Sequence, residues 1–303
     1  MRLVIAIGGN ALLQRGQALS STNQLANIRI AAAQIARVAA KHQVVLTHGN
    51  GPQVGLLALQ SDAYQGVAPY PLDVLGAESE GMIGYLLEQE IANLLGPKRS
   101  VTTLLSRVEV DAADPAFAHP TKPIGPQYSA KEAAELVRTR GWSMAADGST
   151  MRRVVASPQP LRVLGMDSIR TLMERGVLVI ATGGGGIPVV RTGSGHQMAG
   201  IDAVIDKDLC SVLLATGLEV DALVIATDVD AVYIHWGSPE QQALSQISPK
   251  ELAQYDFAQG SMAPKVLAAC RFANATGKST YIGALGQIEA MLDGLAGTRV
   301  CVG

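Results

Sequence analysis

Residues 3–10 read Leu-Val-Ile-Ala-Ile-Gly-Gly-Asn, an apolar run that two glycines and an asparagine cut short. The same arrangement returns at residues 44–51, Val-Val-Leu-Thr-His-Gly-Asn-Gly, and at residues 177–186, where four glycines follow the apolar run. Short β-branched runs that end in turn residues predict buried strands. The three stretches therefore predict three strands that each end in a glycine-rich loop.

Elsewhere the chain alternates between further apolar runs and long helical patterns. One predicted helix opens with Ser21 three residues before Gln24, a capping-box spacing, and another spans Leu72–Leu95 until Gly96-Pro97 ends it. Strands that alternate with helices predict an α/β fold with a mainly parallel, doubly wound sheet. The six predicted strands are Leu3–Ile7, Val44–Thr47, Val101–Leu105, Val177–Thr182, Leu223–Thr227 and Thr280–Ile282.

Residues 111–160 break this alternation, because they contain six prolines and a single helical pattern near Ser129–Thr139. A stretch of this length is either a disordered loop or a folded excursion that carries function. Because both of its ends look structured, we expect a small folded subdomain.

The composition excludes several classes of protein. Of the 303 residues, 48% are hydrophobic and 17% are charged, so we expect a packed globular protein. A net charge of −2 gives no electrostatic footprint for nucleic acid or an anionic membrane, and no apolar run could span a bilayer. The scattered Cys210, Cys270 and Cys301 form no metal or disulfide motif. We therefore expect a cytoplasmic protein that binds neither nucleic acid nor membrane.

The loops Gly8-Gly9-Asn10, Gly49-Asn50-Gly51 and Gly183–Gly186 follow strands whose carboxyl ends should meet at one edge of the sheet. Glycine lets backbone N–H groups approach an anion, and a following helix adds its positive end. Each loop alone could equally be a tight turn, but three at equivalent points favour an anion site. No phosphate loop of the G-x-x-x-x-G-K-[ST] type is present, and Gly55 comes one position too late for a dinucleotide fingerprint.

Three of the eight lysines stand in unusual settings. Lys122 lies beside a proline on the insertion, and Lys265 follows a proline at the predicted start of a helix. Lys207 lies between Asp206 and Asp208, after an apolar run that we interpret as a strand. A single lysine is most often a surface residue, but a charge triplet at a strand end requires a crevice. Phosphoryl transfer needs cations that hold phosphates, so these lysines favour a phosphotransferase.

A further polar cluster, residues 227–233, follows the fifth predicted strand. Its Asp228 and Asp230 could bind a ribose or Mg²⁺, and Tyr233 could border an adenine. An Asx turn is the structural alternative for the same residues.

Together these motifs resemble those of the carbamate kinases, within the amino-acid kinase family, over nearly the whole chain. The resemblance implies an open αβα sandwich, a homodimer, and a subdomain at about 111–160 that closes over the acceptor. It also implies a single domain over residues 1–303, with an acceptor lobe at about 1–180 and a nucleotide lobe at about 181–303. The matching segments are Ile7–Leu12, Thr47–Gly55, Lys122–Pro126, Arg152–Val155, Gly183–Pro188, Ala203–Asp208, Thr227–Asp230 and Gly260–Lys265.

The resemblance further implies roles for individual residues. The implied substrate-binding residues are Gly8, Gly9, Asn10, Gly49, Asn50 and Gly51. The implied catalytic residues are Lys122, Lys207, Asp208 and Lys265, of which Asp208 would hold the lysines in place. The implied nucleotide-binding residues are Gly183, Gly184, Asp228, Asp230, Tyr233, Met262 and Lys265. The nucleotide phosphates, rather than protein ligands, would hold Mg²⁺.

The implied reaction is Mg²⁺-dependent phosphoryl transfer between ATP and carbamate, which gives ADP and carbamoyl phosphate and is run toward ATP when carbamoyl phosphate is catabolised. Two positions depart from the family pattern: Gln127 replaces a usual aromatic residue and Met151 a usual tryptophan. A related kinase of another small carboxylate and a non-catalytic sensor of nucleotide or carbamoyl phosphate are the alternatives. Lys122 weighs against the first, and the lysines around Asp208 weigh against the second.

Overall fold

Strands and helices alternate along most of the chain, of which the computed structural model describes residues 1–13, 16–193, 195–258 and 261–303, without the side chains of Asn10 and Ala11. The strands are β1 (Arg2–Ile7), β2 (Gln43–His48), β3 (Val101–Leu104), β4 (Arg107–Val110), β5 (Lys122–Tyr128), β6 (Met144–Asp147), β7 (Thr150–Val155), β8 (Pro160–Val163), β9 (Leu178–Ala181), β10 (Ile187–Arg191), β11 (Met198–Gly200), β12 (Ala222–Thr227), β13 (Val232–Ile234), β14 (Gln242–Leu244), β15 (Gln246–Ile247), β16 (Ser279–Ala284) and β17 (Thr298–Val300). The helices are α1 (Gly9–Leu12), α2 (Ser21–Ala39), α3 (Gly51–Ala63), α4 (Leu72–Leu95), α5 (Ala130–Arg140), α6 (Met166–Glu174), α7 (Lys207–Gly217), α8 (Pro249–Leu252), α9 (Met262–Thr276) and α10 (Ile288–Leu292).

The central sheet has eight strands in the described part of the chain, in the order β15-β17-β16-β12-β1-β2-β9-β3. The six strands from β16 to β3 run parallel, whereas β17 lies antiparallel to β16. These six are the strands predicted from the sequence, with ends that differ by at most two residues. The prediction of a mainly parallel sheet is confirmed.

Helices cover both faces of this sheet, because alternate residues of each strand point to opposite sides. On β1, Leu3 and Ile5 belong to a core formed with α2 and α4, whereas Val4 belongs to a core formed with α7 and α9. With both faces apolar, the strands read as continuous apolar runs. The arrangement is the predicted open αβα sandwich.

The predicted helix ends are right for α4 and wrong by one residue for α2. Helix α4 ends at Gly96, whose φ of 63° lies in the left-handed region that glycine tolerates. Ser20, not Ser21, caps α2, because the backbone is still extended at Ser20 and its hydroxyl accepts the N–H of Asn23 at 3.2 Å. No helix in the described residues combines the length and apolar character that crossing a membrane requires.

The proline-rich insertion contains its own small sheet. Strands β5, β7 and β6 are antiparallel, and α5 begins with a capping box between Ser129 and Glu132, close to the predicted helical piece. Pro160, near the predicted end of the insertion, belongs instead to β8 of a second sheet, β11-β10-β4-β8. The limits of the subdomain and the division of the remaining chain into two lobes stay predictions, since the central sheet is continuous.

The subdomain meets α3 through a close contact between two backbones. A methyl group on Gly55 of α3 would overlap the backbone of Gly125 in β5. Gly125 also has a φ of 71°, which strains any residue with a side chain. The two glycines therefore let β5 lie directly on α3, and this contact sets the position of Lys122 at the start of β5.

We expect Gly55→Ala to destabilise the protein by about 1–3 kcal/mol, the usual effect of overpacking, because neither backbone can yield easily. Gly76→Ala in α4 is the matched control, since a methyl group there meets open space and a helical Gly→Ala change usually stabilises. Urea unfolding of both variants measures the difference. Equal stability of the two variants would contradict this account of the contact.

Candidate active site

Glycine-rich loops meet at the carboxyl edge of the sheet. After β1, Gly8 donates its N–H to the carbonyl of Ala226 at 3.1 Å, and after β2, Gly49 donates to the carbonyl of Ile7 at 3.0 Å. A methyl group on Gly49 would stand 2.8 Å from the backbone nitrogen of Gly9. The two loops are therefore in contact, and glycine is required for that contact.

The loop after β9 lies between the β2 loop and the chain that leads into α7. A methyl group on Gly184 would overlap the side-chain amide of Asn50, and one on Gly185 would stand 2.7 Å from the carbonyl oxygen of Ile205. Gly184 and Gly185 have φ values of 68° and 99°, which glycine alone adopts without strain. The structure thus brings together all three predicted loops, although the side chain of Asn10 lies outside the described residues.

Asn50 links the β2 loop to both helices beneath it. It occupies the N-cap position of α3 and is 5% exposed. Its Nδ2 donates to the hydroxyl of Ser79 in α4 at 2.8 Å. The first N–H groups of α3 have no partner within the helix, so they give the loop a positive end that suits an anion.

The segment before Lys207 is not a strand, which corrects the sequence prediction. Residues 203–205 are buried, and Val204 donates its N–H to Ala156 at 3.0 Å, but the segment joins no sheet of the described residues. Asp206 instead caps α7, because its Oδ1 accepts the N–H groups of Asp208 at 2.9 Å and Leu209 at 3.2 Å. The charge triplet therefore begins a helix.

The second oxygen of Asp206 binds the lysine of the subdomain. Lys122 donates from Nζ to Asp206 Oδ2 at 2.6 Å. Burial alone would raise the pKa of Asp206, but the ammonium group of Lys122 outweighs it and holds this pKa below its ordinary value. One carboxylate thus fixes both the start of α7 and the position of Lys122, a role that the sequence analysis did not assign.

Asp208 lies between two lysines, as the sequence analysis predicted. Its Oδ1 accepts a hydrogen bond from Lys207, and its Oδ2 accepts one from Lys265 at 3.1 Å. Asp208 is 3% exposed and Lys207 is 8% exposed. Burial disfavours the charged form of Asp208, but the two ammonium groups hold its pKa far below its usual range.

The cluster carries a surplus of positive charge. Burial lowers the pKa of Lys207, and Asp208 offsets this only in part, whereas for Lys265 the attraction of Asp208 outweighs burial and raises the pKa. With Lys122 and Asp206, the cluster contains three ammonium groups and two carboxylates. Because a buried charge is costly without a partner, this surplus favours an anionic ligand.

The residues predicted for the nucleotide lie along the same edge, toward β12 and α9. Met262 begins α9, the helix that carries Lys265, and the carboxylate of Asp228 after β12 is close enough to raise the pKa of Lys265. Asp230 accepts a hydrogen bond from the hydroxyl of Tyr233 at 2.8 Å. Their contact with a nucleotide stays a prediction.

The carboxylates of the site are arranged for lysines rather than for a metal ion. No group of three or more His, Cys, Asp or Glu side chains among the described residues is placed to hold a metal. Asp206 and Asp208 both bind ammonium groups. This donor set fits a Mg²⁺ ion that the phosphates of a nucleotide carry better than one that the protein holds.

Two buried titratable residues lie beneath the loops and were not predicted. Glu80 of α4 accepts the N–H groups of Gly183 at 2.9 Å and Ser106 at 3.2 Å, and burial raises its pKa to about 8. His48 ends β2, and its Nδ1 lies 3.2 Å from the carbonyl oxygen of Gly49. Burial lowers the pKa of His48 to about 4, so the ring is neutral near pH 7.

The sequence also matches a known protein family over most of its length. The model of the amino acid kinase family matches residues 1–284. The chain belongs to this family. It is 53% identical over 300 residues to the carbamate kinase of Haemophilus influenzae, covering 99% of this chain and 96% of that protein.

Solved structures of carbamate kinases have the same fold as this chain. The carbamate kinase of Giardia lamblia bound to citric acid superposes with a TM-score of 0.93 and 41% identity, covering 99% of this chain and 98% of that one. The same enzyme bound to AMP-PNP gives a TM-score of 0.89, at the same identity and coverage. The predicted family and fold are confirmed.

We expect Asp208→Asn to lower phosphoryl-transfer turnover roughly tenfold to a thousandfold, because it removes the charge that orients two ammonium groups. Asp167→Asn is the matched control, since Asp167 also lies in the first turn of a helix but is exposed. Turnover and thermal unfolding are measured for both variants. Full activity combined with a large loss of stability in Asp208→Asn would assign Asp208 a structural role only.

Proposed function

We propose that this amino acid kinase is a carbamate kinase, which transfers a phosphoryl group between ATP and carbamate to give ADP and carbamoyl phosphate. The observation that carries the proposal is the buried Asp208 between Lys207 and Lys265, which holds two cations at the start of α7. Carbamate kinases that match nearly the full chain, at 53% identity in one case, support the same activity and bear out the sequence prediction.

The reaction needs cations more than it needs an acid or a base. Toward ATP, an oxygen of the β-phosphate of ADP attacks the phosphorus of carbamoyl phosphate, the bond from phosphorus to the carbamoyl oxygen breaks, and carbamate leaves with the electron pair. Neither the attacking nor the leaving oxygen has a proton that must move. The protein therefore has to align two anions and offset the charge on the transferred group.

The three lysines supply that charge from three separate elements. Lys207 and Lys265 each give one hydrogen to Asp208 and keep further N–H donors for a phosphoryl group. Lys122 comes from β5 of the subdomain, and its contact with Asp206 places it beside the same helix start. We assign the lysines to the transferred phosphoryl group and Asp208 to their orientation.

The acceptor would lie against the loops after β1 and β2. These loops offer the backbone N–H groups of Gly9 and Gly51 together with the positive end of α3, whereas Gly8 and Gly49, whose N–H groups bind carbonyls of the sheet, would border the acceptor. The amide of Asn50 is already fixed by Ser79 and so forms a rigid wall. We propose this region, with Asn10, as the binding site of carbamate and of the carbamoyl end of carbamoyl phosphate.

The nucleotide would lie toward β12 and α9, where Asp228, Asp230, Tyr233 and Met262 were predicted to line it. Gly183 and Gly184, also assigned to the nucleotide, lie on the Asn50 side of the site, so we propose that they face the γ-phosphate of ATP, which is the phosphoryl group that carbamoyl phosphate carries and ADP lacks. Mg²⁺, carried by the nucleotide, would neutralise part of the phosphate charge when bound.

Three further expectations belong to this proposal. The family resemblance supports a homodimer and a reaction run toward ATP, and the cysteine content supports a cytoplasmic location. The loops after β1 and β2 fall within the proposed acceptor lobe at about 1–180, and Lys265 falls within the proposed nucleotide lobe at about 181–303.

The direct test is ATP formation from ADP and Mg²⁺ with carbamoyl phosphate, compared with acetyl phosphate and acetylglutamyl phosphate. We expect carbamoyl phosphate to be the preferred donor. Preference for another acyl phosphate would instead indicate the related-kinase alternative. Tight binding of nucleotide and carbamoyl phosphate without transfer would indicate the sensor alternative.

We expect Lys122→Ala to lower kcat roughly a hundredfold or more, the scale on which loss of one transition-state donor acts, while the Kd of ADP barely changes. The matched control is Lys131→Ala, since Lys131 lies on the same subdomain and is exposed. Steady-state kinetics and calorimetric titration with ADP measure the two quantities. Normal turnover in Lys122→Ala would remove this lysine from the mechanism.

A further inference from the structure

Two consecutive polar residues of α4 support the active-site loops from beneath. Ser79 and Glu80 are 0% and 1% exposed, although they lie in a helix whose other buried residues are apolar or glycine. The hydroxyl of Ser79 accepts from Asn50 and donates to the carbonyl of Gly76 at 2.8 Å. Glu80 accepts from the backbone of Gly183 and Ser106. Neighbouring residues of one helix thus hold the loops after β2, β3 and β9.

Ser106 links Glu80 to the residues on both sides of the Gly183–Gly186 loop. Its hydroxyl accepts the N–H of Thr182 at 2.9 Å, and its carbonyl accepts the N–H of Ile187 at 2.8 Å. Residues on both sides of the Gly183–Gly186 loop are therefore tied to Ser106, which is itself tied to Glu80. The loop has little freedom while the Glu80 carboxyl group is in place.

The backbone that Glu80 holds is strained. Thr182 has a φ of 51°, in the left-handed region that a β-branched residue rarely adopts. Such strain persists only where the surroundings enforce it, and it concentrates at functional sites. Glu80 holds the N–H of Gly183 and Ser106 holds the N–H of Thr182, so the backbone is fixed on both sides of the strained Thr182.

Burial of the Glu80 carboxyl group costs free energy that purely structural support would not require. Glu80 has no ion-pair partner among the described residues, and burial without a cation disfavours its charged form and raises its pKa to about 8. Nearby His48 is neutral and cannot supply that charge. An apolar side chain would pack in the same core at lower cost, but it would leave the N–H groups of the loop without an acceptor.

The strand order places this support on the acceptor side of the site. Glu80 holds the loops after β9 and β3, whereas Asp228, Asp230 and Tyr233, which were predicted to line the rest of the nucleotide, follow β12, and β12 lies three strands away from β9. At the usual spacing between strands, this separation is about 14 Å. The loop that Glu80 holds lies directly against Asn50.

We propose that Glu80 is a positioning residue for the acceptor side of this active site: through Gly183 and Ser106 it fixes the Gly183–Gly186 loop against Asn50, and so sets the binding of carbamate and carbamoyl phosphate without affecting the ADP part of the nucleotide site. The assignment of the acceptor rests on the proposed function. The fixing of the loop rests only on the hydrogen bonds that Glu80 accepts from Gly183 and Ser106.

The test is Glu80→Gln, which keeps the shape but replaces one of the two accepting oxygens by an NH₂ group that only donates, so that one loop N–H loses its acceptor. We expect kcat/KM for carbamoyl phosphate to fall at least about tenfold, and the Kd of ADP to stay within about twofold. Hydrogen exchange of the Gly183 and Ser106 amides should accelerate. The control is Glu78→Gln on the same helix, since Glu78 is exposed. If Glu80→Gln does not fold, Ser106→Ala, which removes only the hydroxyl that binds Thr182, should show the same selective loss.

Each outcome decides a separate point. Unchanged kcat/KM, or an equal loss of ADP affinity and turnover, would overturn the positioning role. Unchanged hydrogen exchange would overturn the fixing of the loop, and this measurement needs no substrate. A wild-type protein that makes no ATP from carbamoyl phosphate, while Glu80→Gln still accelerates exchange, would overturn the proposed function and the acceptor assignment, and leave the fixing of the loop supported.

Discussion

A buried carboxylate that two ammonium groups share determines how the rest of the site is built. Charges inside a protein are tolerated only when partners satisfy them, and removal of one partner leaves the other at high cost. The contact of Asp208 with Lys207 and Lys265 therefore requires α7 to begin where α9 can bring its lysine alongside. The two helices meet this requirement by packing in one core on the same face of the sheet.

Asp206, two residues before Asp208, connects this cluster to the subdomain. Asp206 caps α7, and the oxygen that the cap does not use binds Lys122 of β5. The position of β5 is set in turn by the close approach of Gly125 to Gly55 in α3. A chain of short-range contacts thus joins α3, the subdomain and the cationic cluster.

Much of this architecture could be predicted because it depends on burial that is local in sequence. The central strands β1, β2, β9 and β12 are almost entirely buried and mostly apolar, which is the pattern of a strand covered on both faces. Errors arose where the sequence allows neighbouring choices. Ser20 and Ser21 can both cap a helix, and only the backbone conformation selects Ser20. Residues 203–205 resemble a strand, but they form a ladder with no strand of the described part of the chain.

The contacts of Asp206 and Glu80 could not be predicted in the same way, because their partners are far away in sequence. Lys122 is 84 residues from Asp206, and Gly183 is 103 residues from Glu80. One signal for Glu80 was nevertheless present, since it precedes the buried Leu87 by seven residues and so lies on the apolar side of α4. An acidic residue on an apolar helical face needs a partner, and backbone N–H groups of glycine-rich loops are partners that leave no mark on the sequence.

The two sides of the site differ in how they bind charge, and the reaction explains the difference. Around Asp208 the donors are ammonium groups, whose charge can follow a phosphoryl group as it moves between two oxygens. Around Asn50 the donors that we propose for the substrate are neutral backbone N–H groups, in loops that Ser79 and Glu80 hold in place. Carbamate and its acyl phosphate, carbamoyl phosphate, differ in charge at the carboxyl end that we propose lies there, so full cations would favour one of them over the other. Neutral donors in fixed positions discriminate by shape instead, which suits an enzyme whose reaction is reversible.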